Sequence, residues 1–332
     1  MNNYSWQEEL RQSFTDISEL CRVLAIPEQF VQTDYPLLVP RPFVDLMEQA
    51  NPHDPLLLQV LPSSDENQSV QGFSKNPLEE IADAQSGAIN KYTGRTLFLA
   101  SPECGVHCRF CFRRHYSPGK TIKPDAEKLP ASVRAHAHSD EIILSGGDPL
   151  MLDDETLDEI LQSMLQIKHV RRLRIHSRLP VVLPGRLTPV LAKILTLPIP
   201  LYLVLHINHP NELSDAFLER RELLTKPIVL AQSVLLRGVN DDTDTLYRLF
   251  CRLIDARILP YYIHQLDRVE GSAHFEVAPQ RGVQILTELR NRLPGYALPK
   301  YVREVVGKHC KEPVEIGSVA GQVNDACDPN SM

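Results

Sequence analysis

The stretch RTLFLASPECGVHCRFC, residues 95–111, joins a short apolar run to three closely spaced cysteines. The apolar run, residues 95–100, has few breaks, which is typical of a strand buried on both faces. Cys104, Cys108 and Cys111 follow it with the spacing C-x3-C-x2-C. The chain has seven cysteines in 332 residues, so three of them within eight positions indicate a shared ligand.

Apolar runs of the same kind recur along the chain. They lie at residues 141–147, 171–177, 201–208, 228–236 and 259–266. Helical patterns separate most of them, such as DDETLDEILQSMLQI at 153–167, which opens with acidic residues suited to a helix N-terminus. Strands that alternate with helices predict a parallel sheet of βαβ units. With six units rather than eight, we expect an α/β fold, a partial (β/α)6 TIM-like barrel.

The pattern of the chain predicts three regions. Residues 1–90 show helical segments broken by proline-rich connectors such as DYPLLVPRPF, and we expect a mostly helical N-terminal extension. Residues 91–305 carry the strand–helix alternation of the barrel, and residues 306–332 form a C-terminal segment that ends in a loose tail.

Composition excludes some classes of partner. The net charge is −7 and the basic residues form no long block, so bulk charge does not suggest nucleic acid or a membrane surface. The N-terminal sequence lacks the positive start and apolar run of a signal peptide, and no stretch approaches eighteen apolar residues. We therefore expect a cytoplasmic protein.

Three thiolates without a nearby fourth favour one kind of metal site. A structural zinc site typically has four ligands in two separated pairs. The remaining cysteines are scattered, at Cys21, Cys251, Cys310 and Cys327. An iron–sulfur cluster held by Cys104, Cys108 and Cys111 would leave one iron open, and catalysis needs an open position. The spacing favours a catalytic cluster, with zinc as the alternative.

In barrels of this kind, the chemistry lies at the C-terminal ends of the strands. The polar residues that end the predicted strands are therefore candidate site residues: Ser145, His176, Ser177, His206, Asn208, Gln232 and Asp267.

The cysteine motif after the first barrel strand resembles the signature of the radical S-adenosylmethionine (SAM) enzymes. The turn Ser145-Gly146-Gly147-Asp148-Pro149, one βα unit later, resembles the glycine-rich motif that receives the SAM amino group in that family. The resemblance implies a [4Fe–4S] cluster on the three cysteines, with SAM chelated to the open iron.

Several stretches together resemble the lysine 2,3-aminomutase family, in particular its short bacterial branch that supplies β-lysine for elongation factor P. They are KYTGR (91–95), CGVHCRFCFRRHY (104–116), SGGDPL (145–150), SRLPVVLPGR (177–186), HINHPNE (206–212), QSVLLRGVND (232–241) and PYYIHQLD (260–267). The resemblance implies that L-lysine is converted to β-lysine by a 5′-deoxyadenosyl radical and an amino migration mediated by pyridoxal phosphate (PLP).

The resemblance also implies roles for residues at the cofactor. Lys311 matches the lysine that binds PLP covalently, and Lys308, three residues earlier, is the alternative. Lys91 and Arg95 match basic residues near the PLP phosphate, and Gln232 matches a cofactor contact.

For the substrate, the resemblance implies recognition of both ends of lysine. Arg113 matches the arginine that binds the substrate carboxylate, since its planar fork can pair with both oxygens. Asp267 and Glu304 match the acidic residues for the distal ammonium. Acidic residues at both positions favour lysine over glutamate, because carboxylates repel one another.

Two alternatives stay open from the sequence. One is an aminomutase for another amino acid, such as glutamate. The other is a non-catalytic zinc-binding interaction protein. For the enzyme, we expect a functional link to elongation factor P and its lysine ligase, and a homo-oligomer.

Overall fold

The computed structural model describes residues 5–28, 31–80, 88–92, 94–115 and 139–315, with the side chains of Asn90 and Lys91 outside that description. The expected tail at 316–332 therefore lies outside the described residues.

The N-terminal part holds three short helices, α1 (Trp6–Arg11), α2 (Ile17–Val23) and α3 (Arg41–Val44). Ser5 and Glu8 form a capping box at α1, and the carboxylate of Asp16 accepts the Glu19 N–H at α2. Pro42 stands in the first turn of α3, where its missing N–H costs nothing. Capping residues and a proline thus delimit these three short helices.

The barrel is a sheet of nine strands whose spatial order follows the chain. They are β1 (Ala88–Tyr92), β2 (Arg95–Ser101), β3 (Glu141–Gly146), β4 (Arg172–Ser177), β5 (Leu201–His206), β6 (Ile228–Val234), β7 (Leu259–His264), β8 (Lys300–Arg303) and β9 (Glu312–Pro313). Strands β2 to β8 are parallel, and the edge strands β1 and β9 pair antiparallel. No pairing joins β1 to β9 in the described part, so the barrel is open.

The predicted fold class, an α/β partial barrel, is confirmed. The six predicted strands correspond to β2–β7. The structure adds β8 as a seventh parallel strand, which the sequence reading missed because KYVR is short and begins and ends with a charge.

Helices cover the outer face of the sheet. They are α4 (Asp154–Leu165), α5 (Leu179–Val182), α6 (Pro189–Ile194), α7 (Asp215–Arg221), α8 (Thr243–Asp255) and α9 (Pro279–Arg290). Their apolar faces and the N-terminal helices share one hydrophobic core with the strands. No helix of the described residues is long and apolar enough to cross a membrane.

The inner face of the sheet is polar. In β4 the alternate residues Leu173 and Ile175 are fully buried in the hydrophobic core, so Arg174 and His176 lie on the opposite face. The same face continues through β5, β6 and β7, because His206 pairs with Gln232 and Val234 pairs with His264 in the strand register. An open barrel with a polar inner face has room for chemistry inside it.

The cysteine loop is attached to the N-terminal part through Arg109. This fully buried guanidinium donates to Glu66, to the Tyr35 carbonyl at 2.8 Å and to the Thr33 hydroxyl at 3.1 Å. Arg114 donates to the same Glu66 carboxylate. Burial acts to raise the pKa of Glu66, but the bonds and charges of the two arginines outweigh it and hold that pKa below its usual value.

We expect Glu66→Ala to lower the free energy of unfolding by about 3–5 kcal/mol, because it leaves two buried cations without their carboxylate. The matched control is Glu276→Ala, which removes the partner of the exposed Arg268 and should cost less than about 1 kcal/mol. Anaerobic urea unfolding followed by circular dichroism measures both. Equal losses in the two variants would contradict this role of Glu66.

Candidate active site

The three cysteines lie on the loop after β2, and none of the three is in a disulfide. Burial and the neighbouring Cys108 raise the pKa of the Cys111 thiol to about 11, and burial together with Cys111, Asp148 and Cys108 raises that of Cys104. Burial raises the pKa of Tyr35, and all three cysteines raise it further, which indicates that the three thiols are near the same phenol. The loop therefore gathers the thiols into one buried group.

This donor set fits an iron–sulfur cluster. Cys104, Cys108 and Cys111 supply three buried thiols from one loop, and soft thiolates are the ligands that hold such a cluster. The thiols must lose their protons to bind it, which makes loading dependent on pH.

The glycine turn after β3 packs directly on the cysteine loop. The Gly147 N–H donates to the Ser101 carbonyl at 2.7 Å, and the Asp148 N–H donates to the Glu103 carbonyl at 2.7 Å. A Cβ at Gly147 would lie 2.2 Å from the Glu103 oxygen, a clash with backbone. Gly146 has φ of +122°, a conformation open to glycine. Glycines are therefore required for the two segments to meet.

The Asp148 side chain is occupied by the protein itself. Its carboxylate accepts from the Ser177 hydroxyl at 2.7 Å and from the N–H groups of Arg178, Leu179 and Leu150 at 2.8–2.9 Å. Burial nonetheless raises its pKa. Asp148 thus ties the glycine turn to the end of β4, and Ser177, a strand-end candidate, serves the same bond network.

Asn208 is another strand-end candidate with structural partners. Its amide donates to Gln59 at 2.9 Å, and its oxygen accepts the Val234 N–H at 2.8 Å.

Arg113 lies beside the glycine turn. Its Nε and Nη2 donate to one carboxylate oxygen of Glu80 at 3.0 and 2.9 Å. Its Nη1 is 3.4 Å from both the Ser145 hydroxyl and the Gly146 carbonyl. The guanidinium stacks on Phe112 at 4.5 Å and is 15% exposed. A carboxylate on this fork is the interaction expected of Arg113 with a substrate.

Several cations meet on the inner face around His176. Burial lowers the pKa of this imidazole well below its ordinary value, and Arg174, Lys311 and Arg113 lower it further. His176 is therefore neutral at pH 7 and lies in an electropositive region. Such a region suits phosphate and carboxylate groups.

Arg174 is a residue that the sequence reading missed. It pairs with Glu141 and lies 5.9 Å from the Tyr261 ring. The signal was present in RLRIHS, where charged residues alternate with apolar ones and so mark a polar inner face. Arg174 lies inside this run, whereas the predicted candidates lie at the ends of runs.

Two further buried histidines line the same face without charge. Burial, with Arg178 next, lowers the pKa of His206 to about 3. Burial and Lys311 lower that of His264 well below its ordinary value. His206 stacks on Phe110 of the cysteine loop at 5.4 Å, so the inner face and the cluster loop adjoin.

Lys311 points into the barrel, whereas Lys308 points out. The Lys311 ammonium donates to Glu304, which also accepts the Tyr92 hydroxyl at 2.5 Å. It lies 5.9 Å from the Tyr262 ring, and its side chain is 24% exposed. The Lys308 side chain is 51% exposed and pairs with Glu312 at 4.0 Å. The environment favours Lys311 as the cofactor lysine.

The remaining predicted residues are distributed around this face. The Arg95 guanidinium lies 4.7 Å over the Tyr92 ring, beside the Glu304 bond. Gln232 lies in β6 next to His206. Asp267 is half-buried three residues after β7. The side chain of Lys91 lies outside the described residues.

Radical SAM chemistry combined with PLP requires a loop of thiols and a lysine at an electropositive site. The structure places the three thiols next to the glycine turn, and it places Lys311 on the electropositive inner face. No protein-family model matches the chain. Over 323 residues it is 43% identical to the L-lysine 2,3-aminomutase of Escherichia coli (strain K12), covering 94% of both chains. With the enzymes of the same name from Haemophilus influenzae and Clostridium subterminale, it shares 40% and 32% identity over 92% and 98% of its length, and the matches cover 94% and 80% of those proteins. The chain belongs to the L-lysine 2,3-aminomutase family.

The predicted family, enzyme class and cofactors are thereby confirmed: the protein is a radical SAM isomerase with a [4Fe–4S] cluster, SAM and PLP. The non-catalytic zinc protein is excluded. A radical SAM methyltransferase structure from Sphaerobacter thermophilus aligns with TM-score 0.48 at 18% identity over 65% of this chain and 68% of that one, a likeness too distant for comparison of sites.

We expect Gly147→Ala to reduce the iron bound per chain at least twofold, because the new methyl group must push the loop of Cys104 and Cys108 away. The control is Gly295→Ala, where a Cβ meets nothing within 4 Å. Iron analysis and visible absorbance of anaerobically purified protein measure the difference. Full iron content in the Gly147 variant would show that the loop tolerates the displacement.

We expect Lys311→Ala to abolish covalent attachment of PLP, and Lys308→Ala to retain it, since only Lys311 points inward. Reduction with borohydride followed by mass spectrometry of the peptides locates the linkage. A labelled Lys308 in the Lys311 variant would reassign the role.

Proposed function

We propose that this chain converts L-lysine to β-lysine by moving the amino group from the α- to the β-carbon. The observation that carries the proposal is its 43% identity to an L-lysine 2,3-aminomutase over 94% of both chains. The inner face supports it with cations for anionic groups and with carboxylates for a cationic side chain.

The cluster residues in this proposal are Cys104, Cys108 and Cys111, and the turn Ser145-Gly146-Gly147 receives the SAM amino group. When bound, the cluster with SAM supplies a 5′-deoxyadenosyl radical, and PLP supplies the π-system over which nitrogen migrates. The turn can do this because its backbone lies against the cysteine loop, at 2.7 Å between Gly147 and Ser101. Asp148 acts by positioning the turn through its bonds to the end of β4.

Lys311 binds PLP covalently, and Arg95, Lys91 and Arg174 attract its phosphate. The structure adds Arg174 to this group. Burial raises the pKa of Tyr262, whereas Arg174 and Arg95 both lower it, so both arginines lie near this ring, which also faces Lys311. Gln232 contacts the cofactor from β6. Glu304 accepts a hydrogen bond from the Lys311 ammonium, which orients this side chain into the barrel.

Arg113 binds the substrate carboxylate, taking the place of Glu80 or sharing the fork with it. Asp267 and Glu304 receive the distal ammonium. For glutamate, the same positions would set carboxylate against carboxylate, which is unfavourable. The buried inner face keeps water from the reacting atoms, as radical chemistry requires.

The cellular setting in this proposal follows the short bacterial branch. Free β-lysine passes to a ligase that attaches it to elongation factor P in the cytoplasm, and the enzyme is a homo-oligomer. Incubation of elongation factor P and the ligase with the product of this enzyme tests the link.

The test of the function is anaerobic incubation with SAM, PLP, dithionite and lysine, with β-lysine detected by mass spectrometry. Turnover of glutamate in place of lysine would overturn the choice of substrate.

We expect Asp267→Asn to raise KM for lysine about 10- to 100-fold, because one charged partner of the ammonium is lost.

The control is Asp255→Asn on the exposed end of α8, which should leave KM unchanged. An unchanged KM in the Asp267 variant would move ammonium recognition to other residues.

A further inference from the structure

A buried arginine outside the predicted site contacts one of the three thiols. Arg178 follows β4 directly, and 6% of it is exposed. Its Nη1 donates to the Cys108 sulfur at 2.7 Å. Its guanidinium lies between the rings of Phe43 and Phe110, at 5.6 and 5.5 Å. Among the described contacts, Cys108 is the thiol that receives a side-chain cation, while Cys111 receives the backbone N–H of Arg113.

The direction of this arginine is fixed by a polar network. Its Nη2 donates to Gln59 at 2.7 Å and to Glu212 at 3.3 Å. Gln59 donates in turn to the Glu212 carboxylate at 3.1 Å, and that carboxylate accepts the Asn208 N–H at 3.0 Å. Two acceptors therefore hold one end of the fork, which leaves Nη1 aimed at the sulfur.

The use of the Cys108 sulfur as an acceptor indicates that this contact serves the protein with its cluster bound. A thiol is a weak acceptor, and a buried guanidinium N–H directed at one gains little. A thiolate bound to a cluster carries negative charge, and a cationic donor to it forms a strong, charge-assisted bond. The contact is thus of most value when Cys108 holds iron.

We propose that Arg178 is a positioning residue that raises the reduction potential of the [4Fe–4S] cluster through its bond to Cys108. This inference rests on the cluster assignment of the proposed function. It concerns the step in which an external one-electron donor reduces the cluster. That step adds one electron, and no bond is formed or broken. The reduced cluster places more negative charge on its sulfurs, so a cationic N–H donor stabilises the reduced state more than the oxidised one.

The test is redox titration of the anaerobically loaded cluster, followed by electron paramagnetic resonance, in wild type and two variants. We expect Arg178→Gln to lower the ratio of reduced to oxidised cluster at a fixed potential about tenfold, which is a shift of about 59 mV to lower potential. Arg178→Lys keeps the charge but cannot reach Cys108, Gln59 and Glu212 together. Its potential should therefore lie between those of the wild type and Arg178→Gln.

The matched control is Arg186→Gln. Arg186 is also fully buried, but it donates to the Leu150 and Leu152 carbonyls and to Asp154, which are all oxygen acceptors. Its loss should lower stability and leave the potential unchanged. Where Arg178→Gln holds too little iron to titrate, Arg178→Lys carries the test.

An unchanged potential in cluster-loaded Arg178 variants, or an equal shift in the Arg186 variant, would overturn this inference alone. A wild-type protein that binds no four-iron cluster would overturn both the cysteine assignment and this inference.

Discussion

Charge pairing inside an open barrel is the constraint on which this site depends. Three inward cations each have a carboxylate partner: Arg113 with Glu80, Arg174 with Glu141 and Lys311 with Glu304. All six side chains are at most 24% exposed, so an unpaired charge among them would be costly. Anionic ligands can enter because they offer these cations another partner.

Backbone hydrogen bonds determine where the cysteine loop and the glycine turn meet. The loop after β2 carries the thiols, and the turn after β3 lies against it through bonds at 2.7 Å from Gly147 and Asp148. Neighbouring parallel strands bring such loops together at one edge of the sheet. The site thus follows from strand order together with two glycines that allow the loops to touch.

The sequence predicted the barrel well, because each buried parallel strand leaves a continuous apolar run and a helix between runs implies a crossover. The cysteine spacing indicates the cluster from local sequence, whereas the role of the glycine turn comes from the family resemblance. The sequence reading missed β8 and Arg174, whose signals are weak: a four-residue strand with charged ends, and a charge inside an alternating run. It could not distinguish Arg178 or Asp148 as positioning residues, since those roles depend on contacts across 29 to 70 positions of chain.

The contact between Lys311 and Glu304 changes how the substrate pocket is understood. The resemblance gives these residues separate roles, one for the cofactor and one for the distal ammonium, yet their side chains are in contact. On the proposed roles, Glu304 alone cannot neutralise both the Lys311 ammonium, whenever that amine is free, and the ammonium of the substrate. On those roles a second carboxylate is needed for the distal ammonium, and we propose that Asp267 supplies it. We therefore expect lysine binding to depend on Asp267 more than on Glu304, which also contacts Lys311.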